Sequence, residues 1–431
     1  MNRLQFFFAR LRERLWVRPL VACIVSVGCV FLARLADGTD LGRHVADVSR
    51  DSLEALLRIV AASMLVIATF AVASMVSAYA SASGNATPRS FPLVLSDDTS
   101  QNALSTFIAS FIYSVVALVA LMNGYYGQAG RFALFVATVA MFALVIITFV
   151  RWVDSIARLG RLSSTIDKVE AATAASLALR KTTPFLGGKP AGENAPDGEP
   201  LYPRTIGYLQ HVDVGAIEKA AAGAGGNVTL VALPGTFCTP DRPLARLSGV
   251  VASTSKERRD ALEDGLRNAF TIGGSRHFEQ DPRFGLIVLS EIASRALSPA
   301  VNDPGTAIDI IGTLVRLLHG WVAPSDDDAA PEVLAEHVLV PALAVGDIFD
   351  DAFTGIARDG AGTVEVMVRL QKALRACTTF GDRAMRDEAL RHARLALRRA
   401  ELAMTLDDDI DAVRNAAAFT RGDSQWRTIA Q

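Results

Sequence analysis

The sequence predicts a mostly α protein: a four-helix transmembrane bundle followed by a cytoplasmic α+β domain with a small β module. Three observations carry this reading. Four uncharged apolar segments of membrane-spanning length fall before Arg151. The mean hydropathy of the whole chain is positive, +0.29, which is unusual for a soluble chain of this size. The charged residues are concentrated in the remaining 280 or so positions, enough chain to bury a core of its own.

A helix crosses a hydrocarbon core of about 30 Å with about 20 residues. The four spans fall at residues 16–35, 59–82, 103–122 and 132–150, inside a membrane domain of residues 1–151. The first is the shortest, and the stems of Arg18 and Arg34 snorkel from its ends. It has the basic and apolar regions of a signal peptide, but Ala33-Arg34-Leu35-Ala36 is a poor cleavage site, so it reads as retained. The fourth is closed by Arg151-Trp152. An ionisable side chain at mid-bilayer costs several kcal/mol, so four clean segments in succession specify insertion.

Basic residues set the orientation. Arg3, Arg10, Arg12, Arg14 and Arg18 precede or open the first span, and Arg151, Arg158, Arg161 and Lys168 follow the fourth. From Arg34 to Arg58, four arginines are offset by five acids. Both chain ends are therefore expected in the cytoplasm, and the chain is expected to be a multi-pass protein surrounded by the lipid bilayer.

Hydroxyls distinguish the spans. Ser63, Ser74, Ser77 and Ser81 share a narrow arc of the second, and Thr106, Ser110 and Tyr113 share one of the third. Such faces serve either helix packing or a weakly polar pore lining. The second and third spans are expected to face protein or water, and the first and fourth to face lipid. No span carries Asp, Glu, Lys, Arg or His in its core, which argues against active transport.

Residues 152–200 read as a helical extension and a flexible loop, with Ile156, Leu159, Leu162, Ile166 and Val169 as an apolar stripe. Residues 201–250 read as the small β module. Its strand-like runs are Thr205–Gln210, Val228–Leu233 and Leu244–Leu247, with turns at Pro234-Gly235 and Pro240-Asp241. This run resembles the hairpins of biotinyl- or lipoyl-like domains, but no lysine stands at a hairpin tip, so no attached cofactor is expected. Residues 251–431 read as mostly helical. After the strand Phe270-Thr271-Ile272 comes a polar link, then a helix over 285–297. Asp303 before Pro304 is the signature of a capped helix, running here to His319. Further helices are expected over 330–358, 361–377 and 382–405, with Asp326–Asp328 and Asp407–Asp409 as loop acids.

Two links offer candidate contacts for a ligand or a second subunit. One holds His277, Glu279, Asp281 and Arg283; the other holds Ser298, Asn302, Asp303 and Thr306. The plainer alternatives are a salt-bridged link and a helix cap. Cys23, Cys29, Cys238 and Cys377 form no C-x-x-C pair and read as free thiols. The histidines lack metal-binding spacing, and no P-loop, H-E-x-x-H or G-x-S-x-G motif is present. Neither a metal, a cofactor nor enzymatic chemistry is expected. A net charge of −2 gives no reason to expect nucleic acid.

Several local runs point to a family. They are Trp16-Val17-Arg18-Pro19, Ser83 with Pro88-Arg89-Ser90, Phe107-Ile108-Ala109-Ser110-Phe111-Ile112-Tyr113, Gly207-Tyr208-Leu209 and Pro234-Gly235. Most specific are Glu279-Gln280-Asp281-Pro282 and the run from Ala296 to Pro304, Ala-Leu-Ser-Pro-Ala-Val-Asn-Asp-Pro. Over nearly its whole length the chain resembles the predicted bacterial membrane proteins catalogued as domain of unknown function 2254. The resemblance implies four membrane helices and a cytoplasmic domain, and it implies no activity. The chain departs from it in the second-to-third loop, where Arg89 stands as the one basic residue before Asp97-Asp98. Two functional expectations remain for a protein of the bacterial cytoplasmic (inner) membrane. One is a passive channel-like or transport-related homo-oligomer gated by its cytoplasmic domain. The alternative is a membrane-anchored sensor or scaffold whose cytoplasmic domain binds a ligand or a protein.

Overall fold

A computed structural model describes residues 16–38, 46–95, 97–158, 161–192, 198–249, 256–323 and 333–421. Arg3, Arg10, Arg12, Arg14 and Asp326–Asp328 lie outside the described residues. The chain forms two compact units that divide between Thr165 and Ile166.

The N-terminal unit is helical. Helix α1 (Val17–Leu32) continues into a 3-10 turn, Ala33–Gly38. Helix α2 spans Arg50–Asn85, the short α3 spans Phe91–Leu95, α4 spans Asp98–Met122 and α5 spans Gln128–Arg158. Among the described residues, four helices are long and apolar enough to cross a bilayer. They overrun the apolar segments for local reasons. The first turns of α2 are charged, and Glu54 pairs with both Arg50 and Arg58 at i,i+4 spacing. Asp97 caps α4 by accepting the Ser100 N–H at 3.0 Å. Asp37 accepts the Gly127 and Gly130 N–H groups at 2.8 and 2.7 Å, placing a negative charge at the positive end of α5.

Helix α4 is the hub and packs against α1, α2 and α5. One cluster joins Val30, Leu53, Leu57, Tyr113, Leu121 and Leu134; a second joins Val60, Met64, Ala71, Phe107 and Trp152. The expected division of faces holds only in part. Helices α1 and α5 do present apolar side chains outward, such as Ile24, Phe142 and Ile147, but α2 does so too, through Ile59, Val66, Phe70 and Val76. Its inward face is made of Leu53, Leu57, Met64, Ala68, Ala71, Met75 and Tyr79 instead of the serines. Small and flexible side chains let helices approach closely, whereas lipid-facing apolar side chains need no protein cover.

The C-terminal unit begins within α6 (Leu162–Thr182). Its strands are β1 (Gly188–Pro190), β2 (Glu199–Leu201), β3 (Gly207–Val212), β4 (Asn227–Leu230), β5 (Phe237–Cys238), β6 (Ala245–Ser248), β7 (Phe270–Gly273) and β8 (Ala335–Val340). They form a mixed sheet in the order β1-β8-β4-β6-β2 and an antiparallel sheet in the order β5-β3-β7. Two expectations are corrected here. The β region is not a hairpin module confined to residues 201–250, since β1, β7 and β8 complete its sheets. Nor does it keep the biotinyl- or lipoyl-like pattern. A helix, α7 (Val214–Ala224), intervenes between β3 and β4, and β8 pairs in parallel with β1 and β4. The α7 signals are local: Asp213 accepts the Ala216 N–H, Val214, Ile217 and Ala221 are buried, and Gly225 closes the helix at φ 65°.

The expected helix over 330–358 is likewise corrected, because β8 precedes a shorter helix. Ala335, Val338 and Val340 of β8 are buried, and a central parallel strand takes its apolar content from both faces of the sheet. The remaining helices are α8 (Lys256–Asn268), α9 (Pro282–Ala296), α10 (Pro304–Val322), α11 (Val345–Asp359), α12 (Val364–Cys377), α13 (Arg383–Ala403) and α14 (Asp407–Ala416). Asp407–Asp409 are not loop acids; they fill the first turn of α14, where the helix dipole favours them. Helices α9 to α13 pack mainly as the pairs α9–α11, α10–α12, α11–α13 and α12–α13.

One close approach fixes α9 against α6. A Cβ added at Gly285 would stand 1.9 Å from Thr173 Oγ1 and 2.7 Å from its Cβ. Thr173 is buried, and its hydroxyl already donates to the Val169 carbonyl. Gly285→Ala is therefore expected to lower stability by about 2 kcal/mol, the usual cost of overpacking. An unchanged denaturation midpoint would contradict this packing.

Candidate functional site

Both polar links carry helix caps and ion pairs. Asp281 is 2% exposed and caps α9, accepting the Phe284 N–H at 3.2 Å. The Arg276 guanidinium grips the same carboxylate through Nε at 2.7 Å and Nη2 at 2.9 Å. Arg283 turns instead to α11, donating to Asp351 at 2.6 Å and pairing with Asp347. Asp281 and Arg283 thus take different hydrogen-bond partners, although their opposite charges still act on each other. His277 is half-buried and Glu279 exposed. In the second link, Asp303 accepts both the backbone N–H (3.1 Å) and the hydroxyl (2.6 Å) of Thr306. Those hydrogen bonds hold its carboxyl below the usual aspartate range. Asn302 adopts φ 50° and donates its N–H to the Ser298 carbonyl, and the Ser298 hydroxyl donates to the Arg295 carbonyl.

The membrane hydroxyls do not share one surface. On α4, Ser110 donates to the Thr106 carbonyl at 2.7 Å and Thr106 to the Asn102 carbonyl at 2.9 Å. Tyr113 is buried, its hydroxyl 3.1 Å from that of Thr138 on α5. On α2, Ser63, Ser77 and Ser81 are exposed and Ser74 is half-buried. The three α4 groups are thus satisfied within one bundle, while most of the α2 serines lie on its outside.

The feature that sequence reading missed is a cavity of about 810 Å³ in the C-terminal unit. It lies among the last turn of α6, the Pro184-Phe185 turn, the end of α10, the segment Ala342–Val345 that opens α11, and the turn Phe380–Met385 that opens α13. Small-molecule pockets commonly measure about 300–1,000 Å³ and combine apolar walls with a few placed polar groups. Here the wall is largely apolar, with Phe185, Trp321, Val322, Leu343 and Phe380 contributing.

Arg180 is the polar group that stands out on that wall. On α6 the buried residues Ile166, Val169, Thr173, Ser176, Leu177 and Arg180 recur at helical spacing. The helical phase therefore carries an arginine into the interior. Arg180 is 5% exposed, and its Nε, Nη1 and Nη2 are buried without a hydrogen-bond partner among the described residues. One turn earlier on the same face, the buried Ser176 hydroxyl also lacks a partner among them. Burial alone pushes the Arg180 guanidinium down to about 10. Its neighbours are engaged. Lys181 donates to the Ala323 carbonyl at the end of α10, and Asp382 caps α13 by accepting the Met385 N–H at 2.9 Å. His319 packs edge-on against Phe380. The signal was legible: extending the apolar stripe beyond Val169 reaches Arg180 on the buried face.

The family described as Predicted membrane protein (DUF2254) matches residues 12–376. Uncharacterized protein Rv1290c of Mycobacterium tuberculosis and uncharacterized protein Mb1321c of Mycobacterium bovis are each 38% identical to the chain over 115 residues. That stretch is 27% of this chain and 22% of each relative, so the match spans about a fifth of their length. No solved structure matches the chain significantly. With four bilayer-length helices and a family match that runs through the N-terminal unit and most of the C-terminal one, the chain belongs to the predicted membrane protein family known as domain of unknown function 2254.

Proposed function

We propose that this chain is a membrane-anchored ligand-binding protein. Its four apolar helices hold it in the bacterial cytoplasmic membrane with both ends in the cytoplasm, and its C-terminal unit takes a small molecule into the cavity beside Arg180. The observation that carries the reading is Arg180, a wall residue of an 810 Å³ cavity whose guanidinium nitrogens are buried without a partner among the described residues. An unpaired buried charge costs several kcal/mol, and a bound ligand offsets that cost where a protein group does not. On this reading the chain binds and signals and is not an enzyme.

The test is thermal unfolding of the full chain in nanodiscs with a mixed set of small acids, bases and neutral molecules. A ligand at about 100 times its Kd adds about 2.7 kcal/mol, which moves the midpoint by about 5 °C or more. At least one compound is expected to do so with the native chain and not with Ala342→Trp, which fills the cavity from its exposed rim. If no compound of any class does, the reading fails.

A channel-like homo-oligomer is the second reading, favoured by Ser63 and Ser77 on the outside of the bundle, where another copy would meet them. Its test is the native mass in detergent. A ring of four or more subunits would support it, and a monomer would remove it.

A further inference from the structure

We infer that the ligand of the Arg180 cavity is a monoanionic carboxylic acid with an apolar body. This rests on the cavity being a ligand site, and it adds the chemical class.

The charges of the wall select the anion. Of the charged side chains on it, Lys181 is held by the Ala323 carbonyl and Asp382 by its cap on α13. Arg180 alone has none of its donors met among the described residues. A cationic ligand would add repulsion to a buried positive charge, and a neutral one would leave that charge uncompensated. A carboxylate brings one negative charge to one positive charge. Its two oxygens lie in a plane and match the guanidinium fork with two parallel hydrogen bonds once the Arg180 side chain turns its nitrogens, closed to solvent in the unliganded chain, into the cavity. A phosphate dianion would bring a second negative charge into an apolar surrounding that also holds Asp382.

The walls select the body. A carboxylate fills only a small part of 810 Å³. The rest is bounded by Phe185, Trp321, Val322, Leu343, Phe380 and Met385, surfaces that gain by covering alkyl or aromatic carbon. Such acids reach the site from two sources, as water-soluble aryl or short-chain acids or as fatty acids released from the bilayer. The head and body are the same chemistry in both.

The ligand also has a structural consequence. Arg180 belongs to α6, while the opposing walls belong to the end of α10 and the starts of α11 and α13. An acid paired with Arg180 and packed on those walls ties four helix ends together.

The experiment is isothermal titration of the full chain in nanodiscs with 4-phenylbutyrate, with its neutral amide and its amine analogue as controls. Saturable binding of the acid is expected, with the amide weaker by about 30-fold or more and no binding of the amine. Arg180→Met is expected to weaken the acid by about the same factor and to leave the amide unchanged, and Arg180→Lys to recover part of the loss. Inorganic phosphate alone is expected not to displace the acid. Oleate supplied in the nanodisc lipid divides the sources: displacement of 4-phenylbutyrate supports a bilayer-derived acid, and its absence supports a soluble one. The inference is overturned if amide or amine binds as well as the acid, if Arg180→Met binds the acid normally, if phosphate displaces it, or if no acid binds. Should any other compound still stabilise the native chain and not Ala342→Trp, the ligand-binding reading survives that failure.

Discussion

Replacing Arg180 by methionine is expected to raise the unfolding free energy of the ligand-free chain by about 3 kcal/mol at neutral pH. Folding lowers the pKa of this guanidinium from the ordinary arginine value to about 10, through burial alone. A pKa lowered by one represents about 1.4 kcal/mol of preference against the charged form. By linkage, a cation whose pKa is lower in the folded state destabilises that state at every pH below the folded value. The cost is therefore whole at neutral pH and fades only as pH rises from about 10 toward the ordinary arginine value. Methionine keeps an unbranched apolar stem without the charge, and such exchanges of buried ions for apolar groups often stabilise by about 1–4 kcal/mol. A midpoint higher by about 5–10 °C in nanodiscs is the expected reading. A lower midpoint would mean that Arg180 has a partner within the chain, and the cavity would lose its claim to an anion. Saturating acid reverses the order, stabilising the native chain and leaving Arg180→Met where it was.

Asp281→Ala is expected to be the opposite case, lowering stability by about 3–5 kcal/mol. The substitution removes the cap of α9 and strands Arg276, whose side chain is 17% exposed and paired only to this carboxylate among the ion pairs described. The fit around the carboxylate is close. Gly235 lies at φ 95°, and a Cβ there would stand 2.3 Å from Asp281 Oδ2. Asp281→Asn keeps an acceptor for the Phe284 N–H and is expected to lose about half as much. The control is Asp303→Asn, which changes a more exposed cap and is expected to cost less than about 1 kcal/mol, because Asn and Asp cap about equally well. Equal losses at positions 281 and 303, by chemical denaturation of the full chain, would show that burial does not distinguish the two caps.

The two caps mark how far local sequence reaches. Asp281-Pro282 and Asp303-Pro304 are the same signal, and both open helices; the second does so as expected, whereas the first helix, expected from 285, starts at Pro282. A cap depends on a side chain and an N–H three residues away, so the sequence contains all of it. The four spans are legible for a related reason: a charge inside hydrocarbon is so costly that composition alone decides them. The cap at Asp303, the strand Phe270–Gly273 and the family were readable on the same local basis.

What the tertiary structure decided is a matter of partners distant in sequence. Ala335–Val340 is a strand because β1 and β4 flank it, and its apolar run fits a helix as well until those neighbours are in place. The serines of α2 and the hydroxyls of α4 have similar helical periodicity, yet α4 packs closely against three long helices while α2 packs mainly against α4, so Ser110 and Tyr113 are buried and Ser63, Ser77 and Ser81 are exposed. Arg180 is the clearest case. Its place on the buried face of α6 follows from helical phase, which the sequence determines by itself. Its lack of a partner among the described residues depends on which side chains α10, α11 and α13 bring to the same cavity, and a pairing of charges is settled in space across far more chain than any local pattern covers.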